Sequence, residues 1–338
     1  MRVMSEDFVG ATEGYRRELL AHCYRMVGSL HDAEDLVQEV YLRAWRGWDR
    51  FEGRAAVRTW LYRIATNACL TALQHKERRY VPSGLGAPGN NAHAPVELAA
   101  AETSWVQPFP SAAADPAETV AERNNLRLAL IVSLQYLPPQ QRAVLVLREV
   151  LAFPAAAVAQ MLEISVAAVK SSLQRARATL SNLDAVSEQI TEPSDARAQA
   201  LLDQYIAAFE NSDAAAIEKL LRSDTVLEFT PARTWFSGLR TCLPYLEHYA
   251  LGSPGEWRMV PTSANGQPAA GAYRRTAEGR YTPYGISVLT VAEDGLVRIT
   301  VFGDPGLFPA FGLPIDYPAR RTPMCRSVRR IRGTPVDR

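Results

Sequence analysis

The period of the apolar residues changes once along this chain, and that change limits the fold more than any other feature. Up to about residue 210, apolar positions recur at steps of three and four, the spacing of one buried helix face. Further on, "GISVLTVAEDGLVRITVFG" alternates on both sides of Asp294-Gly295, which predicts a β-hairpin. "TVLEF" and "QPAAGAY" read as further strands. At roughly 150 residues per domain, 338 residues make two or three domains. The expected fold class is therefore multidomain, with all-α helical units first and an α+β unit last.

The helical part is itself divided. Residues 12–79 read as nearly continuous helix, broken at Gly28-Ser29, Gly47 and Gly53. Residues 81–119 then carry Pro82, Pro88, Pro95, Pro108, Pro110 and Pro116, which break any helix. They hold no Lys or Arg, but they do hold Glu97, Glu102, Asp115 and Glu118. That composition predicts an acidic, extended linker with no packed core of its own. Trp105 and Phe109 are large aromatics for such a segment, and they predict that it docks on something. Helical pattern returns over 118–183, and the third unit opens with "ARAQALLDQYIAAFENSD", whose stripe is Leu201, Leu202, Tyr205, Ile206 and Phe209.

Within the second helical unit, "PAAAVAQML" and "SVAAVKSSLQRARATL" flank a short turn, Glu163-Ile164-Ser165. Pro154 suits a first helical turn, and Ser165 suits the N-cap of the second helix. Ala155, Val158, Ala159 and Leu162 form the first apolar face; Val166, Val169, Leu173, Ala176 and Leu180 form the second. Two short helices with a three-residue turn describe a helix-turn-helix, whose second helix enters the DNA major groove. The polar face of that helix carries Lys170, Ser171, Gln174, Arg175 and Arg177 and no acid. Cations there meet phosphates or guanine edges, and Ser171 and Gln174 can hydrogen-bond either. A solvated helical hairpin is the bland alternative, and Glu163 stands where many such turns carry Gly.

The first helical unit holds "HDAEDLVQEVYLRAW", with acids at Asp32, Glu34, Asp35 and Glu39 and a core stripe of Ala33, Val37, Val40 and Ala44. Acids belong at a helix N-terminus, where the dipole favours them. From Arg43 to Arg79 the sign reverses, and Trp45, Trp48, Phe51, Trp60 and Tyr62 are interleaved with the cations. Cations track a phosphate backbone and aromatic faces accept unstacked bases. The pattern points to two partners, a protein and a melted nucleic acid; a bundle with its tryptophans in the core is the competing reading. The net charge of +1 gives no support to nucleic-acid binding by itself.

These two segments resemble the bacterial extracytoplasmic-function sigma factors. "DAEDLVQEVYLRAW…F…TWLYRIATNACL" is similar to their region two, and "LPPQQRAVLVLREVLAFPAAAVAQMLEISVAAVKSSLQRARATL" to their region four. The third unit resembles a SnoaL-like domain of the NTF2 type, a combination found in the sigma-G-like subgroup. The resemblance implies region two over 10–80, a linker over 81–119, region four over 120–184 and a SnoaL-like regulatory domain over 195–315; the Arg-rich segment 316–338 has little periodicity and reads as a basic disordered tail. It implies an alternative sigma factor whose partners are core RNA polymerase and promoter DNA. Asp32, Glu34, Asp35, Leu36, Gln38 and Glu39 would dock on core polymerase. Phe51, Arg54, Arg58, Trp60, Arg63 and Asn67 would open and read the minus-ten element. Lys170, Ser171, Gln174, Arg175 and Arg177 would face the minus-thirty-five element. The acidic linker would thread toward the polymerase active-site and RNA-exit channels. An anti-sigma factor, or a small-molecule ligand of the SnoaL-like domain, would be a further partner.

No catalytic residue, metal or cofactor is expected. Cys23, Cys69, Cys242 and Cys325 are scattered, with no CxxC pair, and read as reduced thiols. In the third unit Glu228, His248, Tyr249 and Asp304 have the right chemistry for acid–base work, but no compact motif selects any of them. Regulation is favoured over catalysis there, with "FGDPGLFPAFGLP" as an apolar contact loop. A bifunctional protein with a catalytic SnoaL-like unit, and a plain helix-turn-helix regulator, are the alternative functions; the acidic helix argues against the second. No apolar run approaches the roughly 20 residues that span a bilayer, and no signal-peptide core opens the chain. A soluble cytoplasmic protein is expected.

Overall fold

The computed structural model describes residues 6–53, 55–74, 77–111, 126–184 and 194–317. Arg54, Asp115, Glu118, Cys325 and the basic tail from 318 onward lie outside the described residues.

The first helical unit comprises α1 (Glu6–Thr12), α2 (Arg16–Val27), α3 (Leu30–Gly47) and α4 (Val57–Leu73). The break between α2 and α3 is made by the two residues that the sequence singled out. Gly28 closes α2 at φ 70, a left-handed position that costs glycine nothing. The Ser29 hydroxyl then accepts the Asp32 amide at 3.2 Å and caps α3. The acids of α3 face outward while Ala33, Val37, Val40 and Ala44 are buried, as the stripe required.

The second unit comprises α5 (Leu128–Leu134), α6 (Pro139–Leu145, prolonged by a π turn over Val146–Val150), α7 (Ala155–Leu162) and α8 (Val166–Asp184). Ser165 caps α8 as expected, accepting the Ala168 amide at 3.1 Å. Three details differ from expectation. Pro154 sits at the N-cap with extended ψ of 146°, one residue ahead of the first turn. Glu163 takes the left-handed conformation, φ 56 and ψ 41, that a glycine would take without cost. Val166 is 40 % exposed, and the buried stripe of α8 runs instead through Val169, Ser172 and Ala176. With a 100° bend between α7 and α8, the first turn of α8 stands clear of the core.

The third unit packs α9 (Asp195–Glu210), α10 (Ala214–Leu220) and α11 (Leu239–Tyr245) on a six-stranded sheet. Its strands are β1 (Leu221–Thr230), β2 (Phe236–Ser237), β3 (Trp257–Ala264), β4 (Gln267–Arg275), β5 (Tyr281–Ala292) and β6 (Gly295–Phe302). They lie in the order β2-β1-β6-β5-β4-β3, antiparallel except for the parallel pair β1–β6. The expected hairpin is β5–β6, with Ala292 paired to Gly295; its turn is Glu293-Asp294, one residue earlier than the sequence reading placed it. This is the α+β unit that was expected after the two helical ones.

Alternation along the strands assigns each sheet face to a different core. Leu227, Ala270, Leu289 and Ile299 face α9–α11. Ala269, Ile286, Val288 and Phe302 join the core of the two helical units. The sheet therefore has no free face: its back is a wall of the helical units. The apolar loop after β6 belongs to that wall, with Leu307 and Phe308 fully buried.

Candidate nucleic-acid and polymerase interface

On α8 the expected contact residues form one outward surface. Lys170, Gln174, Arg175 and Arg177 are exposed and Ser171 is half-buried. Two of the cations have neighbours: Arg175 donates to the Ser172 hydroxyl at 3.2 Å, and Arg177 donates to Glu149 at 2.6 Å. The Arg177 pair is solvent-exposed, so a phosphate can replace the carboxylate at little cost. Val166 adds an exposed apolar group at the N-terminal turn, the part of a recognition helix that meets base edges.

The α4 residues are placed differently. Phe51 stacks on Trp48 with ring centres 5.5 Å apart and lies 4.8 Å from Trp60. The aromatic series thus packs on itself at the edge of the bundle, half-buried. Arg58 donates to Glu18 at 2.9 Å and lies over the Tyr62 ring at 4.9 Å and the Phe153 ring at 5.1 Å. Arg63 donates to Glu163 at 2.9 Å. Phe153 and Glu163 belong to the second helical unit, so the helix-turn-helix covers part of this face. Asn67 is half-buried, and Arg54 lies outside the described residues.

On α3, Glu34, Asp35 and Gln38 are exposed, and Leu36 and Glu39 are half-buried. Glu39 receives Arg43 at 2.7 Å one turn along. Asp32 is set apart from this row. It accepts Arg79 at 2.6 Å, and the same guanidinium donates to the Trp105 carbonyl at 2.8 Å. Asp32 therefore fastens the linker to the start of α3.

The linker is docked along its described length. Phe109 is fully buried, 4.7 Å from the Tyr24 ring. Gln107 accepts the Ser29 hydroxyl at 2.8 Å. Further back, Ala99 donates to the Pro231 carbonyl at 3.0 Å and Arg233 to the Glu97 carbonyl at 2.8 Å. The expected docking of Trp105 and Phe109 is thus observed, and the surfaces they meet are the first helical unit and the third. The sequence reading did not anticipate that the linker shares their cores.

One turn connects all of these parts. Asn265 and Gly266, both at positive φ, join β3 to β4 in the Asn-Gly pattern of a tight hairpin. The Asn265 side chain is fully buried. Its amide donates to the Tyr24 hydroxyl at 2.9 Å and to the Leu126 carbonyl at 2.7 Å. Its oxygen accepts the Phe109 amide at 2.9 Å. The first unit, the linker, the start of the second unit and the sheet therefore meet at one carboxamide. Arg142 makes a second junction: from α6 it reaches the last carbonyls of α2 at Met26 and holds Gln135 at 2.8 Å. Burial lowers its pKa to about 10, so it remains a cation facing a helix C-terminus, the favourable end for one.

Two family matches account for the helical units: Sigma-70 region 2 over residues 12–79 and Sigma-70 region 4 over 127–180. The ECF RNA polymerase sigma factor SigG of Mycobacterium tuberculosis is 44 % identical over 313 residues, 91 % of this chain and 84 % of the relative. The chain belongs to the ECF sigma factors. SigW of Bacillus subtilis is 28 % identical over 52 % of this chain and 87 % of its own length. The crystal structure of M. tuberculosis SigJ shares the fold, with a TM-score of 0.59 at 23 % identity, covering 91 % of this chain and 99 % of that one.

In this sigma factor the four candidate acid–base residues of the third unit do not converge. Glu228 is buried on the sheet face that points to the linker, where it accepts the Ser83 amide at 3.0 Å, Arg298 at 2.9 Å and Thr300 at 3.0 Å. Asp304 caps the turn after β6 through the Gly306 amide at 2.9 Å. His248 stacks edge-on to Tyr249 at 4.5 Å, and the Tyr249 hydroxyl donates to the His93 carbonyl at 2.7 Å. Cys23, Cys69 and Cys242 are buried free thiols. Among the described residues no group of three or more His, Cys, Asp or Glu could hold a metal, and no single helix is long and apolar enough to cross a membrane.

Proposed function

We propose that this ECF sigma factor divides its work among the surfaces described above. As a sigma factor it binds core RNA polymerase and directs it to promoter DNA. Residues 10–80 serve as region two, 120–184 as region four, 81–119 as the linker between them and 195–315 as a regulatory unit, with 316–338 as a tail. Glu34, Asp35, Leu36, Gln38 and Glu39 make the polymerase contact, with Asp32 positioning the linker beside it. Lys170, Ser171, Gln174, Arg175 and Arg177 take the minus-thirty-five element. Phe51, Arg54, Arg58, Trp60, Arg63 and Asn67 take the melted minus-ten strand, once region four has moved off α4. The cationic outward face of α8, which carries no acid of its own from Val166 to Leu180, is the observation that carries the reading: it suits phosphate and base edges, and a clustered cation face on an otherwise near-neutral chain needs such a partner.

A promoter grip of this kind is two weak contacts joined by a third party. Phosphate contacts supply affinity and base contacts choose the sequence. Polymerase supplies the tether that makes the two additive. The test is reconstitution with core polymerase and genome-wide mapping of transcript starts. Starts grouped under a common two-part promoter are expected; a chain that does not join core polymerase, or joins it and starts nothing, overturns the reading.

The third unit acts as a regulator and not as an enzyme. General acid–base catalysis needs a group within hydrogen-bond reach of the substrate, and the sheet's carboxylate at Glu228 is spent on Ser83 and Arg298 behind the cone. A chain ending near Ser194 is expected to show altered promoter output. Unchanged output in cells and in vitro would remove the regulatory role.

A further inference from the structure

The concave side of the sheet encloses a cavity of about 260 Å³. Its walls are aromatic, with Tyr205, Phe229, Tyr245 and Trp257 among them. At the back the wall carries the Tyr205 and Ser287 hydroxyls, and both residues are within 2 % of full burial. Part of the remaining wall does not come from the third unit. It is made by Val96 and Leu98 of the linker, held there where Leu98 pairs with Ala232.

We propose that this cavity is a binding site for a small, flat, uncharged hydroxylated aromatic molecule, seated between the cone and the linker. Size sets the first limit. A cavity of roughly 150 Å³ takes benzene and drug-sized ligands need more than about 300 Å³, so this one suits one or two fused rings. Wall chemistry sets the second: aromatic faces favour stacked or edge-on rings, and the buried hydroxyl pair rewards one hydrogen-bonding group on the ligand. Charge sets the third. Among the described residues that line the cavity, Arg274 is the sole charged side chain, and Glu256 already neutralises it through contacts at 3.0 and 2.8 Å. A ligand carboxylate would find no free cation, and a ligand amine no free anion. Among the described residues the lining also lacks any Asp, Glu or His, so no carboxylate or imidazole faces the ligand.

The linker wall gives binding a consequence. A ligand that touches Val96 and Leu98 favours the docked linker over the released one, by the difference in its affinity for the two. Loading the cavity therefore locks the segment that joins regions two and four, although no promoter- or polymerase-contacting residue touches the ligand.

The test uses the full chain and 2-naphthol as the probe. Titration followed by fluorescence is expected to show one saturable site, with Kd on the order of 10⁻⁵–10⁻⁴ M. Ala272→Phe, which fills the cavity from its buried wall, abolishes binding. Leu98→Ser weakens it about fivefold, and because Leu98 is 67 % exposed this variant folds even if the first does not. Ile315→Ser, at an equally exposed leucine-sized position outside the cavity, leaves binding unchanged. With probe bound, the Ala99 amide, which is bonded to the Pro231 carbonyl, exchanges with solvent about fivefold more slowly. Absence of saturable binding, or binding that survives Ala272→Phe in a folded protein, overturns the site. Binding that ignores Leu98→Ser and leaves Ala99 exchange unchanged overturns the role of the linker.

Discussion

The two helices proposed to read DNA are both cationic, yet only one is presented. On α8 the cations stand in water or in an exposed pair, free to exchange a carboxylate for a phosphate. On α4 Arg58 lies over Phe153 and Arg63 is bound to Glu163, so region four covers the residues of region two that would hold the melted strand. The same chemistry yields an open surface in one place and a closed one in the other because of what packs behind each helix. Among the described residues, the outward face of α8 meets Glu149 at Arg177 and otherwise stands exposed. α4 has the turn of the helix-turn-helix opposite it, pressed there by the sheet hairpin and the linker. On the proposed assignment the free chain shows its minus-thirty-five face first and rearranges to show the other.

The strongest way to break this contrast is at Asn265. Its carboxamide holds Tyr24, Phe109 and Leu126 together, and a buried network loses more than one bond when its centre goes. Asn265→Gly keeps the positive φ and removes only the side chain. It is expected to cost roughly 2–4 kcal/mol in urea unfolding and to lengthen the distance between labels at Glu39→Cys and Gln174→Cys. An unchanged distance would mean that the α4–α7 contact holds region four in place without the hairpin. Asn265→Ala should be worse still, because alanine resists the left-handed backbone.

A smaller effect separates the two regions by pH. His22 is fully buried behind α4, with Thr66 at 3.0 Å and the Tyr62 ring at 5.1 Å. Burial first, and then the nearby Arg25 charge, lower its pKa from 6.5 to about 3. Its folded pKa lies below its unfolded one, so between those values the unfolded chain binds the extra proton. The contribution is intact above pH 6.5 and falls away as the pH drops toward 3. Between pH 7 and 5 this amounts to roughly 2 kcal/mol. Region four carries no histidine, so acid should loosen α4 while α8 keeps its structure. Hydrogen exchange read helix by helix checks this, and His22→Gln should flatten the pH dependence of region two.

What the sequence could reveal follows from the same division between local and distant causes. The Ser165 cap, the Gly28-Ser29 break, the α3 stripe and the β5–β6 hairpin depend on near neighbours, and their residues carry the signal. The exposure of Lys170 and Arg177 was legible because the apolar residues behind them fix which side of the helix turns to solvent. Asn265, Gln107 and Arg142 were not. Each is a polar residue in an unremarkable setting, and its role depends on groups more than a hundred residues away or across an irregular segment. Glu228 shows the same limit from the other side: its chemistry was legible, but its partners Ser83 and Arg298 follow no spacing rule. Asp32 looked like one more acid in a row, and only Arg79 and the linker set it apart.

Charge removal on the two helices sharpens the contrast at the level of binding. Lys170→Ala should weaken promoter DNA binding about tenfold and lower the salt slope by about one, in the free chain and in the holoenzyme alike. Arg63→Ala should leave the free chain's DNA binding nearly unchanged, because region four lies across this face of α4 with Phe153 against Arg58, and should weaken promoter opening only in the holoenzyme. Anisotropy with a duplex and with a pre-melted promoter distinguishes the two. Equal losses for Arg63→Ala in both settings would mean that α4 is open to DNA in the free chain.

The finest probe is Glu163, where backbone and charge oppose each other. Its left-handed conformation costs about 1 kcal/mol relative to glycine, and its bridge to Arg63 is solvent-exposed at 51 % and 74 %, which limits the pair to about 0–1 kcal/mol. Glu163→Gly removes the strain and the bridge together, so the balance favours a gain in stability of up to about 1 kcal/mol. Glu163→Gln keeps the strain and removes only the charge, so it should be neutral or slightly destabilising. Thermal unfolding of the pair measures the two contributions separately. If Glu163→Gly instead lowers stability while Glu163→Gln lowers it equally, the charge pair outweighs the backbone, and the closure of region four over α4 is held at its turn by electrostatics. In that case the covered face of region two should open with added salt, and the α8 face should not change.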